Sequence, residues 1–346
     1  MEKTVRQIHS STPLRINDIG GWTDTWFSEE GNVLNMAVSP GVEVDISVFD
    51  NREGIPNRVR VHAVDYGEIF HITPEKPDFT IHPLIQGAVN SRPISEGQKL
   101  DIKIRSFLPA GSAAGTSASV CVALLGALDA LLTRKLSAGA IAALAHQVET
   151  DKLHMQSGIQ DQICAAFGGV CFIHMQKYPD FGVSRVSLSK RIRENLNHQL
   201  CLIYLGSAHR SSDIHERVIE SLKKGGSQVE LLKKLRILAE EGRCSLVSED
   251  LVHFGRVMID NNELQRALHP ELISEEADAV IKIAKKYGAF GWKVNGAGGQ
   301  GGSLTVLSSP DSVSRKGMIT AIENLGHGIR HLQVNLSSEG LRLHRI

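Results

Sequence analysis

The sequence predicts a mixed α and β fold in two domains, and three observations carry that expectation. At 346 residues the chain is longer than one hydrophobic core ordinarily serves. Its first half alternates turns with stretches of two-residue hydrophobic period, the signature of half-buried strands. Its second half changes texture, with charged amphipathic helices following one short apolar strand. The change divides the chain into residues 1–190 and 191–346.

Each element has its own signal. "TPLRIND", "VEVDISVFD" ending at Asp50, "NRVRVHAVD" and "KLDIKIRSF" (99–107) read as strands. The last delivers the chain to "LPAGSAAGTSAS" (108–119), after which an apolar pattern predicts a helix from Thr116 to Leu132. Ser137 is placed to cap a second helix, "AGAIAALAHQVETD". "HQLCLIYLG" reads as a buried strand, and helices are expected over 213–225, 228–247 and 275–287. "AFGWKVNGAGGQGGSLTVLS" reads as strand, glycine turn, strand, and "IRHLQVNLS" as a last strand.

Composition excludes several classes of partner. Lys plus Arg equals Asp plus Glu at 38 each, so no overall field draws the protein to nucleic acid or to an anionic membrane. Cys121, Cys164, Cys171, Cys201 and Cys244 are scattered with no CxxC pair, which argues against zinc or redox sites and for a reducing cytoplasm. The N-terminal stretch has no signal-peptide core, and Ala113–Leu132 carries hydroxyls and Asp129, too polar for a membrane span.

The segment 108–119 raises a chemical question, because it removes side chains just before a helix begins. Backbone N–H groups of a helix's first turn have no partner within it and, with the helix dipole, favour an anion. A polyphosphate reaches them only where side chains are tiny, as at Gly111, Ala113, Ala114 and Gly115, ahead of Thr116 and Ser117. A tight strand-to-helix turn with small packing residues accounts for the glycine content equally well. A Walker A loop is excluded, since no Lys follows Gly115. "GAGGQG" (296–301) satisfies GxGxxG, but a strand follows it instead of a helix, against a dinucleotide fingerprint.

Read together, three blocks resemble the GHMP small-molecule kinases. "PLRINDIGGWTDT" (13–25) is similar to that family's N-terminal substrate motif, "LPAGSAAGTSAS" to its P-x-x-x-G-L-G-S-S-A phosphate loop, and "KVNGAGGQGGSLTVL" (293–307) to its C-terminal G-A-G-G-G-G turn. "SGIQDQICAAFGG" (157–169) is similar to the acidic segment of the heptose 7-phosphate and fucose kinases. Ala113 and Ala114 stand where the family has Gly and Leu, and Thr116 where it has Ser. Ile159 replaces a Lys common in heptose-phosphate kinases, and Trp22 matches the G-G-W-[ST]-D-T of fucokinases.

The resemblance implies an α+β fold of two domains, the first like ribosomal protein S5 domain 2 and the second ferredoxin-like, with the active site in the cleft between them. It implies an ATP- and magnesium-dependent kinase acting on a sugar hydroxyl, expected to be the anomeric one. The phosphate loop would comprise Pro109, Gly111, Ser112, Ala113, Ala114, Gly115, Thr116 and Ser117. Ser117 and Glu149 would hold magnesium, a hard ion that takes one or two protein oxygens. Asp161, twelve residues past Glu149, would be the general base, kept ionised by Arg15. Gly21, Trp22, Thr23, Asp24 and Gly298 would meet the sugar, and "SAHRSS" (207–212) would form part of its wall. His154, His174 and His209 lack metal-ligand spacing and read as structural or surface residues.

Three rival readings stand beside this one: a heptose 7-phosphate 1-kinase specifically, a non-catalytic binder of sugar or nucleotide, and a nicotinamide dehydrogenase. The retained Asp161 and Glu149 argue against the second, because binding needs neither. Partners are expected to be a small sugar or sugar phosphate, with room left for a homodimer.

Overall fold

The computed structural model describes residues 5–28, 30–52, 54–208, 212–223 and 227–345. Its elements run β1 (Arg6–Ile19), β2 (Gly31–Asp50), β3 (Val59–Ala63), β4 (Glu68–Ile72), α1 (Pro83–Asn90), β5 (Gln98–Ser106), α2 (Thr116–Asp129), α3 (Ala138–Gln147), α4 (Gln160–Phe167), β6 (Val170–Lys177) and β7 (Asp180–Arg185). They continue with α5 (Lys190–Gln199), β8 (Leu200–Leu205), α6 (Ser212–Lys223), α7 (Ser227–Val247), α8 (Leu251–Leu268), α9 (Glu275–Lys286), β9 (Gly291–Val294), β10 (Ser303–Leu307), α10 (Ser312–Glu323), β11 (Ile329–Leu332), β12 (Asn335–Leu336) and β13 (Arg342–Arg345).

The large sheet holds nine strands, with the path β13-β1-β2-β5-β3-β4 and β6, β7 and β12 joined through β2. The long β2 organises it: one stretch pairs with β5 from Val42 to Asp50, another with β6 from Gly31 to Met36. Every second residue of β2 from Val42 to Val48 is buried, facing a core that α2 closes from the other side. The smaller sheet is antiparallel throughout, in the order β11-β8-β10-β9, which is the strand order of a split βαββαβ unit. Its core, with Ile203, Val280, Trp292, Leu304 and Ile322, is separate from the first.

Local chemistry explains the elements that position the site. Ser137 caps α3 by accepting from the Ala140 N–H at 3.2 Å, as its spacing predicts. Beyond α3 the chain continues in a wider, π-type turn over Val148–Lys152, which carries Glu149 inward. The first long helix ends at Asp129, three residues earlier than expected, where the Asp129 side chain takes the Leu136 N–H at 3.0 Å.

One expectation is corrected. "IRHLQVNLS" is not a single strand: Ile329–Leu332 closes the small sheet, whereas Asn335–Leu336 pairs with β2 in the large one. The chain switches sheets there, and β13 then pairs with the outer side of β1. Among the described residues no helix is long and apolar enough to cross a membrane.

Candidate active site

The phosphate-loop candidates, the end of β1 and the start of α4 meet around a cleft of about 340 Å³. Gly111, Ala113 and Gly115 adopt left-handed backbone (φ 70, 53 and 69), alternating with ordinary residues. That alternation turns successive N–H groups toward one concave side. The helix that follows, α2, has Gly115 at its N-cap and no side chain capping it. Ser112 Oγ and Thr116 Oγ1 are buried there without a hydrogen-bond partner among the described residues. Orphaned donors over an uncapped helix start suit an anion with many oxygens, and a triphosphate fits that demand.

Asp161 stands in the first turn of α4 and faces this loop. A Cβ added at Gly115 would lie 3.1 Å from its carboxylate, so loop and carboxylate approach within van der Waals contact. Arg15 grips it with two bonds, Nε to Oδ1 at 2.7 Å and Nη2 to Oδ2 at 3.1 Å. Arg15 is 4% exposed and Asp161 28%, so the cation is walled in and the carboxylate looks into the cleft. Arg15 also ties itself to the loop, its Nη1 donating to the Ala113 carbonyl at 3.2 Å and its backbone N–H to the Ala114 carbonyl at 2.9 Å.

Glu149 lies on the same cleft, buried, with Oε2 accepting from Ser157 Oγ at 2.5 Å and from Gln162 Nε2 at 2.8 Å. Burial, assisted by the nearby Asp161 charge, pushes its carboxyl up to about 7 against those two bonds. A carboxyl held so uneasily is a place for a cation. No group of three or more His, Cys, Asp or Glu side chains that could hold a metal exists among the described residues. That donor set does not suit zinc; it fits magnesium, which keeps waters and phosphate oxygens beside one or two protein ligands.

Asp24 is buried against the same cleft. Gln160 holds it twice, through its backbone N–H at 3.1 Å and its side-chain Nε2 at 3.3 Å. Burial pushes Asp24 up to about 6, with the charge of Asp161 adding to the rise. A Cβ at residue 158 would collide with the Asp24 carboxylate at 2.1 Å, which explains Gly158. Around it stand Trp22, Thr25, Trp26, Phe27, Met155 and Ile219. Arg15 is the one Lys or Arg lining the cleft among the described residues.

Of the candidates named from sequence, Arg15, Trp22, Asp24, Gly111 through Ser117, Glu149 and Asp161 line the cleft, and Gly21, Thr23, Pro109 and Gly298 do not. Thr23 spends its hydroxyl on the Gly20 and Asn32 carbonyls. Gly298 packs against the Leu272 carbonyl, where a Cβ would come to 2.2 Å. Gly21 leaves room for Asp18, whose Oδ2 would be 2.6 Å from a Cβ there. Ser207 and Ala208 border the glycine turn, the Ser207 carbonyl accepting from the Gly302 N–H at 3.0 Å; residues 209–211, His209 included, lie outside the described residues. His154 and His174 do not line the cleft, and His174 bonds Asn32 instead.

Several contributors are not singled out by the sequence. Asp18 and Lys293 are both 1% exposed and paired at 3.0 Å behind Arg15. Each holds its charge through the other: Lys293 and Arg15 pull Asp18 below the usual carboxylate range despite its burial, while burial lowers Lys293. Asn261, Asn262 and Gln265 of α8 are buried and bond the Gly20 N–H, the Val294 N–H and the Gly296 carbonyl. Their polar spacing of i, i+1, i+4 on one helix face was the available signal.

Comparison with known proteins agrees with the geometry. Residues 84–169, from α1 through the loop and Asp161, match the GHMP kinases N terminal domain. The chain is 27% identical over 327 residues to the bifunctional fucokinase/GDP-fucose pyrophosphorylase of Arabidopsis thaliana, covering 88% of this chain and 30% of that protein. It is 22% identical over 304 residues to the D-glycero-alpha-D-manno-heptose 7-phosphate kinase of Campylobacter jejuni, covering 86% of this chain and 88% of that one. It therefore spans less than a third of the plant protein and most of the bacterial one. Its fold superposes on a D-glycero-D-manno-heptose 1-phosphate kinase from Bacteroides thetaiotaomicron with a TM-score of 0.77, 20% identity, and 98% and 99% of the two chains covered. The chain has the α+β fold of the GHMP kinases, and residues 84–169 match that family's N-terminal domain; the sugar kinases and mevalonate kinases it resembles are each less than 30% identical to it.

Proposed function

We propose that the chain transfers the γ-phosphoryl group of ATP to the anomeric hydroxyl of a sugar that carries no phosphate of its own. The observation that supports this most is Asp161, clamped bidentately by Arg15 and set against a phosphate loop at Gly115. Binding alone has no use for a carboxylate pressed against a phosphate site, where it repels the ligand; a proton acceptor must stand there.

In this reading residues 108–117 hold the triphosphate through backbone N–H groups and the hydroxyls of Ser112 and Thr116. ATP supplies the phosphoryl group, and magnesium neutralises charge on it. Ser117 and Glu149 would hold the metal. Asp24 accepts a hydrogen bond from a sugar hydroxyl and fixes the ring, and Asp161 takes the proton of the attacking hydroxyl. Arg15 keeps Asp161 anionic and turned toward that oxygen. The aromatic wall of Trp22, Trp26 and Phe27 excludes water and receives the apolar face of the ring. Residues 1–190 would supply loop, metal site and base, and 191–346 the glycine turn over the substrate.

The name of one relative, the L-fucokinase/L-fucose-1-P guanylyltransferase of Bacteroides fragilis, supports attack from the anomeric oxygen, since it pairs a fucokinase with a sugar 1-phosphate. The sugar-kinase relatives divide on the acceptor, fucose or a heptose phosphate, while mevalonate kinases match about 70% of the chain at similar identity. Ile159, where heptose-phosphate kinases commonly carry Lys, and Trp22, which matches the fucokinase motif, favour an uncharged acceptor, because a distal phosphate needs cations of its own. Phosphorus NMR of reactions with ATP, magnesium and, in turn, L-fucose, galactose, mannose and heptose 7-phosphate tests this. A sugar 1-phosphate is expected from one of the first three. Turnover confined to the heptose phosphate would overturn the uncharged acceptor, and turnover of none would leave the binding-protein reading in its place.

A further inference from the structure

The geometry points to Asp18 and Lys293 as positioning residues that hold Arg15, and through it Asp161, in register with the phosphate loop; this rests on the assignment of Asp161 as base. Strand β1 departs from regular pairing with β2 between Ile16 and Ile19, and Asn17 takes left-handed backbone (φ 54). Such a bulge re-aims the next side chain. Here it turns Asp18 inward, where Oδ1 accepts from Arg15 Nη1 at 3.2 Å, Lys293 Nζ at 3.0 Å and the Gly296 N–H at 3.1 Å. One carboxylate oxygen thus joins the cation of the base, a lysine on β9 and the start of the glycine turn.

With Asp18 in place every nitrogen of the Arg15 guanidinium is committed, two to Asp161 and the third to Asp18 and the Ala113 carbonyl. A planar fork held at three corners cannot pivot, so the plane of the Asp161 carboxylate is fixed as well. Lys293 completes the logic. Asp18 alone would compete with Asp161 for Arg15, but a buried ammonium on Asp18 offsets its charge and leaves Arg15 to the base. Two apolar side chains of similar size would fill the space at lower desolvation cost, so packing does not account for the pair.

The test compares Asp18→Asn, Lys293→Met and the double variant with wild type, assayed on the sugar that wild type turns over and examined by crystallography. In Asp18→Asn, kcat is expected to fall about ten-fold or more, KM for ATP to stay within about two-fold, and Arg15 to lose one of its two bonds to Asp161. The double variant removes both charges and should recover the thermal stability that either single change loses, but not kcat. Recovery of kcat together with stability, or Arg15 still bidentate on Asp161 in a folded Asp18→Asn, would overturn the inference. Where Asp18→Asn does not fold, the double variant decides. Asp161→Asn serves as the separate control: full turnover in that variant removes the base assignment, while its loss beside an active Asp18→Asn removes only the present inference.

Discussion

Ala113 and Gly115 are two residues apart in one loop, share nearly the same left-handed twist, and differ in what a Cβ meets there. At 115 a methyl group would press on Asp161 at 3.1 Å in a backbone region that costs a non-glycine residue about 1–2 kcal/mol. Gly115→Ala should lower both stability and kcat, the latter about ten-fold by displacing Asp161, the proposed base. Ala113→Gly should do the reverse for stability, gaining about 0.5–1 kcal/mol once the added unfolded-chain entropy is subtracted, as read from thermal unfolding. Glu149 gives a prediction with a pH axis. Its folded-state value of about 7 lies above the ordinary 4.5, so the folded protein binds this proton more tightly than the unfolded chain does. The resulting destabilisation is absent below the ordinary value, grows as pH rises, and is complete above 7. Without magnesium, Glu149→Gln should therefore be more stable than wild type at pH 8, by on the order of 3 kcal/mol, with the gap closing toward pH 5. The same variant should lose turnover.

Among the elements, α8 shows how far a sequence can be read and where it stops. Strands and helices with a clean period, such as β5 and α9, were legible because one face meets the core and the other meets water. The face of α8 turned inward carries Asn261, Asn262 and Gln265, all buried, so polar residues stand where the periodic signal expects apolar ones. Their partners are backbone groups of β1, β9 and the glycine turn, far away in sequence, and no local rule points to them. Asp161, Arg15 and Glu149 were legible only through the order of motifs along the chain; Asp18 and Lys293 lie inside two of those motifs, but nothing in either motif pairs them. Asn261→Ala would leave the buried Gly20 N–H without an acceptor. It should cost about 1–3 kcal/mol in urea unfolding, and Asn261→Asp should recover part of it.

At the scale of the molecule the site belongs to no single segment: β1, the loop before α2, the start of α4 and the turn after β9 each supply part of it. The chain's final strands add a constraint from the far side. Leu341 packs against Gly126 in the last turn of α2, and Glu339 and Gly340 lie against Gly168 at the end of α4. Both helices present their first turns to the cleft. A truncation after Leu332 should thus impair catalysis as well as stability, and measuring kcat at about 10 °C, well below the variant's melting temperature, would separate the two losses. The pairing of β13 with β1 also bears on anyone who produces the first 190 residues by themselves. That fragment would present the bare flank of β1, from Ile8 to Ser11, as an open template for self-association. A synthetic peptide spanning 333–346, added in trans, should dock along that flank and keep the fragment from precipitating.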